Sequence, residues 1–195
     1  MLKKMMLLAM AVAALVAFAA PAAQAATLSD SEGDLENGAS LKATSTNTVT
    51  TINEEVSLEC AHVELTGTAG GEGTNIESVA GVGTTENCVV QPFGAPANVS
   101  VPAFSLNLGA EEAEFGFEFS SPALGLEGCS MSTTGGVFPV FATWTLNTDV
   151  IHLHGGPLVG GGPGTGANPC PEGAKEIHGT YTVTTLNGDP VLLTE

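Results

Sequence analysis

Val137–His154, VFPVFATWTLNTDVIHLH, alternates apolar and other residues, breaks at a polar triplet, and then alternates again. Phe138, Val140, Ala142, Trp144 and Leu146 fall at every second position, which sets them on one face of a pleated strand. Asn147-Thr148-Asp149 is turn chemistry, so the two halves read as neighbouring strands. Trp144 is the only tryptophan in the chain, and its face is the expected centre of the core. On the returning strand His152 and His154 lie two residues apart and share one face.

The same period-two pattern recurs on both sides. Glu112–Ser120, EAEFGFEFS, sets Ala113, Phe115, Phe117 and Phe119 against Glu112, Glu114 and Glu118, one apolar face and one wet face of an antiparallel sheet. In Glu55–Thr68 the apolar parity changes between Val56, Leu58, Cys60 and Val63, Leu65, which calls for a β-bulge near Ala61-His62. Asn98–Leu108 changes parity again at Pro102, which argues for a bulge or an edge strand. Leu41, Ala43 and Val49 suggest a half-exposed first strand, and Ile76–Val82 and Cys88–Val90 two short ones. Gly67–Gly73 and Gly155–Gly173 are rich in turn formers and read as loops. Lys175–Thr185 places Ile177, Tyr181 and Val183 opposite His178, Thr180, Thr182 and Thr184; Asn187-Gly188 then turns into a short strand, Val191–Leu193.

No convincing amphipathic helix appears after the first 25 residues. About nine or ten short strands separated by turn signals predict an all-β fold, an antiparallel β-sandwich or a partly closed barrel.

Residues 1–25 read as a signal peptide. Lys3 and Lys4 form a positive start, Leu7–Ala20 is apolar, Pro21 breaks the run, and Ala23-Gln24-Ala25 fits the small-x-small cleavage pattern. The apolar run is too short for a comfortable membrane span, and nothing later resembles one. The expected organisation is a signal peptide at 1–25, an acidic N-terminal arm at 26–38 and a single β-domain at 39–195. The protein is therefore expected outside the cell or on its envelope.

Charge narrows the partners. The chain carries 21 acidic residues against four lysines and no arginine, for a net charge of −17. All the acids lie beyond residue 25, whereas Lys3 and Lys4 leave with the signal. Phosphate backbones are neutralised by Lys and Arg, so nucleic-acid binding is not expected. In the arm, Asp30, Glu32, Asp34 and Glu36 alternate, but the spacing departs from a calcium loop: with Asp30 first, Gly33 falls fourth instead of sixth and Leu41 twelfth. A solvated, mobile arm is the expectation.

Four cysteines follow the signal, Cys60, Cys88, Cys129 and Cys170. An even number in an exported chain, without C-x-x-C pairs, favours two disulfides over a metal cluster. Of the three connectivities, Cys60–Cys88 with Cys129–Cys170 is expected, because each bridge then crosses neighbouring strands.

LECAHVELTG at Leu58–Gly67 and CPEGAKEIHGTYTVTT at Cys170–Thr185 resemble a group of secreted all-β proteins of bacteria. In that group cysteine-bearing strands open the domain and a C-P…G-T-Y-T strand closes it. The resemblance implies fold and export. It implies no activity and transfers no functional residues.

Two functions are compatible with these observations. The first is a non-catalytic extracellular or envelope domain that binds a surface, glycan or protein partner, with loops such as Gly155–Gly173 as its binding face. The second is a metal-binding protein or metal-dependent enzyme using His152 and His154, with His178, His62 or a carboxylate as third ligand to zinc or copper. Catalytic residues are not assigned: no G-x-S-x-G elbow and no phosphate-cradling loop occurs.

Overall fold

The computed structural model describes residues 26–52, 55–132, 140–156, 159–160, 166–170 and 176–194. The expected signal peptide at 1–25 lies outside the described residues, as do Val137, Phe138 and Lys175. Thirteen strands form one antiparallel sheet, and the described residues contain no α-helix. The strands are β1 Ala26–Ser29, β2 Ser40–Ser45, β3 Thr48–Thr51, β4 Ser57–Glu72, β5 Asn75–Gln91, β6 Ala95–Asn107 and β7 Glu112–Ser121. After a 3-10 turn at Pro122–Leu124 come β8 Leu126–Ser132, β9 Val140–Trp144, β10 Val150–Gly155, β11 Val159–Gly160, β12 Glu176–Thr185 and β13 Leu192–Thr194.

The sheet closes on itself. β2 and β3 lie end to end, both paired with β4 on one side and β12 on the other. From there the ladder runs through β4, β5, β6 and β7, across to β9, then β10 and β12, and back to β2 and β3. That is an eight-position barrel with β2/β3 sharing one position. The seam between β7 and β9 is the narrow one, with Glu112↔Phe141 and Ala113↔Val140 as its paired residues. Beyond it β7 pairs with β8 instead, and β11 adds to β8. An expected partly closed barrel is thus observed.

The parity change near Ala61-His62 is present, but not as the expected bulge: β4 keeps one register with β2, β3 and β5 through that stretch and shifts against β5 only between Gly70 and Gly71. Inward parity switches between Ser45 and Thr48, between Cys60 and Val63, and between Thr85 and Cys88. The switch crosses three neighbouring strands. Opposite Ala61 stands Asn87, whose φ of 52° takes it out of the extended region. On β6 the register shifts between Ser100 and Ala103, so Pro102 marks a bulge in a strand paired on both sides. Phe115, Phe117 and Phe119 are buried while Glu112, Glu114 and Glu118 are exposed.

Several expectations are corrected. Ile76–Val82 and Cys88–Val90 are parts of one strand, β5, and the glycine-rich 67–72 run belongs to β4. Glycine here serves contact: a Cβ on Gly81 would overlap the Thr66 carbonyl oxygen and the Gly67 Cα of the neighbouring strand. Leu146 is 44% exposed, because β9 ends at Trp144 and the chain turns before parity can act. The arm is not wholly mobile. Its first residues form β1 between β5 and β13, and Leu28 is fully buried. The acidic turn Asp30–Gly33 stays outside, with Asp30 Oδ1 accepting from the Glu32 and Gly33 amides.

β13 does not fold back onto β12 as a hairpin ladder; it pairs with β1. The β1–β13 ribbon closes one mouth of the barrel. The Val191 amide donates to the Val183 carbonyl, and the Asn147 amide donates to the Leu193 carbonyl. Leu28 of β1, Ile76 of β5 and Val191 just before β13 are completely buried.

Both expected disulfides are present. Cys60 and Cys88 are register partners on β4 and β5. Cys129 on β8 holds Cys170 in the segment preceding β12, where the Asn168 amide also donates to the Gly125 carbonyl.

Candidate functional site

An eight-strand barrel is wide enough for packed side chains or for one small ligand. Here the side chains fill it. Leu65, Phe115 and Tyr181 form a middle layer that separates two apolar cavities of ≈ 40 and ≈ 30 Å³. Ligand pockets usually run to about 300–1,000 Å³, so the interior is a core. Its polar groups are satisfied: the Thr48 and Tyr181 hydroxyls meet at 3.0 Å, and the Trp144 indole N–H donates to the Thr148 carbonyl at 2.8 Å. Burial pushes the Tyr181 phenol up to about 12, with the Thr48 hydrogen bond opposing that rise.

A hollow lies on the outer wall. It measures ≈ 340 Å³ and is lined by His152, His154, His178, Thr180, Asn47 and Val49, among others. Sheet alternation puts them there. On β10, Ile151 and Leu153 point inward, so His152 and His154 point outward. On β12, Ile177 and Tyr181 are buried, which turns Glu176, His178 and Thr180 out. β10 and β12 are hydrogen-bonded neighbours, and their register sets His154 directly opposite His178 and His152 opposite Thr180. The three histidines named from the sequence therefore share one surface.

Register extends the row. Glu112, Phe141, His154, His178, Val49 and Glu59 follow one another across β7, β9, β10, β12, β3 and β4. Each imidazole has its own neighbour. The His178 Nε2–H donates to Glu176 Oε2 at 2.9 Å, His152 Nδ1 shares a 3.1 Å hydrogen bond with Thr180 Oγ1, and the His154 ring lies against Phe141 with centroids 5.5 Å apart. Among the described residues, no three His, Cys, Asp or Glu side chains are gathered to hold one metal ion. His62, on β4, does not line this hollow.

Glu176, Thr180, Asn47, Val49 and Phe141 were not singled out as site residues from sequence. Thr180 and Glu176 had a signal, since they share the outward parity of His178. Asn47 had none, because it sits in the bulge between β2 and β3. The loop expected to bind, Gly155–Gly173, lies partly outside the described residues; within it, β11 pairs with β8.

Acidic side chains are spread over the rest of the outer wall. Glu114 faces Ser105, Glu118 faces Ser100 and Ser130, Glu64 faces Thr44 and Thr84, and Glu86 faces His62. None of these register positions sets two carboxylates side by side, which limits like-charge repulsion across strands. Lys42 approaches Glu64 at 3.9 Å, an exposed pair of small energetic weight. No helix among the described residues is long and apolar enough to cross a membrane. Comparison with protein-family models, with curated proteins and with solved structures finds no match to this chain.

Proposed function

We propose that this chain is a secreted, disulfide-stabilised β-barrel domain that acts without catalysis, binding an extracellular or envelope partner through its outer wall. The observation that carries the reading is the filled interior beside a polar hollow of ≈ 340 Å³ on the outside. A barrel that carried a small ligand internally would keep space for it; this one spends its interior on packing. Two disulfides suit an oxidising compartment. Residues 1–25 have the composition of an export signal. The resemblance to secreted bacterial all-β proteins points the same way.

The test is binding of the mature chain, beginning at Ala26, to arrayed glycans and to envelope fractions, with chelator present. Saturable binding weakened by Asn47→Ala or Thr180→Ala supports the reading. Binding that survives every change in the hollow, or turnover of an offered substrate, removes it.

A further inference from the structure

We infer that the wall formed by β10 and β12 carries a surface site for one divalent copper ion, with His154 and His178 as its protein ligands. This deepens the binding reading by naming a ligand class for the same hollow. The two residues are register partners on adjacent antiparallel strands. In such pairs the Cβ atoms stand about 4.5–5.5 Å apart, a separation from which two imidazoles can converge on one ion by rotation about their side-chain bonds. Both side chains are exposed, so neither ring is locked by packing.

The present hydrogen bonds leave donor nitrogens for the ion. Glu176 accepts from Nε2 of His178, which assigns the proton to that nitrogen and leaves Nδ1 with its lone pair. A carboxylate on the remote ring nitrogen is the usual outer partner of a ligating histidine; it sets the tautomer and raises ligand basicity. No hydrogen bond to the His154 ring occurs among the described residues, and its contact with Phe141 is a tilted one between rings, at an interplanar angle of 31°. His152, one pleat along β10, keeps Nε2 for the same hollow because Nδ1 is shared with Thr180.

The ligand count selects the metal. Structural zinc asks for four protein ligands in a tetrahedron. Two imidazoles with water completing a square plane suit copper(II), which also heads the affinity order for nitrogen sites among divalent first-row metals. The surroundings favour a cation: Glu112 and Glu59 end the cross-strand row, Glu176 flanks His178, and the whole chain carries −17.

The experiment titrates the disulfide-intact mature chain with Cu²⁺ alone at neutral pH, followed by calorimetry and by electron paramagnetic resonance. One ion per chain with nitrogen hyperfine coupling is expected, bound at least about tenfold more tightly than Zn²⁺. His154→Ala and His178→Ala should each weaken it about tenfold or more, while His62→Ala leaves it unchanged. Trp144 fluorescence verifies that each variant is folded. Absence of saturable Cu²⁺ binding, or binding indifferent to both substitutions, overturns the site. Either result leaves the chelator-treated partner assay standing on its own, so the two readings fail separately.

Discussion

Tyr181 and Thr48 join their hydroxyls at 3.0 Å inside the barrel, linking β12 to β3 where these strands are also register neighbours. Burial raises the phenol from 10.0 to about 12. The folded chain therefore keeps its proton more firmly than the unfolded chain does. Stability from this source is complete below pH 10 and is lost as pH climbs from 10 towards 12, by about 3 kcal/mol in all. Tyr181 is the only tyrosine, so phenolate absorbance reports it without overlap. Tyr181→Phe should abolish the alkaline step while costing about 1–3 kcal/mol at neutral pH, because Thr48 loses its buried partner. Alkaline unfolding that persists unchanged in this variant would assign the step elsewhere.

β7 offers an internal comparison. Phe117 is 5% exposed and Glu114, three residues earlier on the same strand, faces solvent. Phe117→Ala should cost about 3–5 kcal/mol in urea unfolding, the range for deleting a buried aromatic. Glu114→Ala should fall within about 0.5 kcal/mol of the parent. Equal penalties would mean that both faces of β7 are covered, contrary to its alternating burial.

The two disulfides close chain separations of 28 and 41 residues. Loop-closure entropy gives each about 3–4 kcal/mol. Non-reducing peptide maps should recover Cys60 linked to Cys88 and Cys129 linked to Cys170, with no Cys60–Cys129 product. Changing Cys129 and Cys170 together to alanine should loosen residues 166–170 selectively. Hydrogen exchange would then rise around Asn168 and Gly125 before it rises in β4 and β5. Uniform loss of protection would instead make the second bridge part of the barrel's cooperative unit.

Side-chain alternation made much of this molecule legible in the sequence. It assigned Phe115, Phe117 and Phe119 to the core and the pair His152 and His154 to one face, and it located the parity changes near Ala61 and Pro102. Alternation says nothing about which strands become neighbours when they are far apart in the chain. The pairing of β1 with β13, and of β12 with β2 and β3, rests on contacts between the two ends of the domain. For the same reason His178 could be named as a third histidine but not as the register partner of His154. Leu146 kept core parity one step past the end of its strand, where a turn overrules it. Glycine was ambiguous: in 67–72 and at Gly81 and Gly83 it resembles a break, whereas it lets two long strands touch.

That last distinction can be tested with one methyl group at two places. Gly81 and Gly116 both lie inside strands, and neither takes a left-handed φ. A Cβ at Gly81 meets backbone on β4, the Thr66 carbonyl oxygen and the Gly67 Cα, which cannot move without separating β4 from β5. At Gly116 the nearest atom within 4 Å is the Ala103 carbonyl oxygen, at 3.8 Å, an ordinary contact. Gly81→Ala should therefore destabilise by about 2 kcal/mol or more, as overpacking against a rigid neighbour does. Gly116→Ala should be neutral or stabilise by about 0.4–1 kcal/mol, since it restricts the unfolded chain without straining the folded one. Chemical denaturation of both variants, followed by Trp144 fluorescence, measures the contrast. If Gly81→Ala proves as harmless as Gly116→Ala, then β4 and β5 do not approach each other at Gly67 and Gly81 as closely as described.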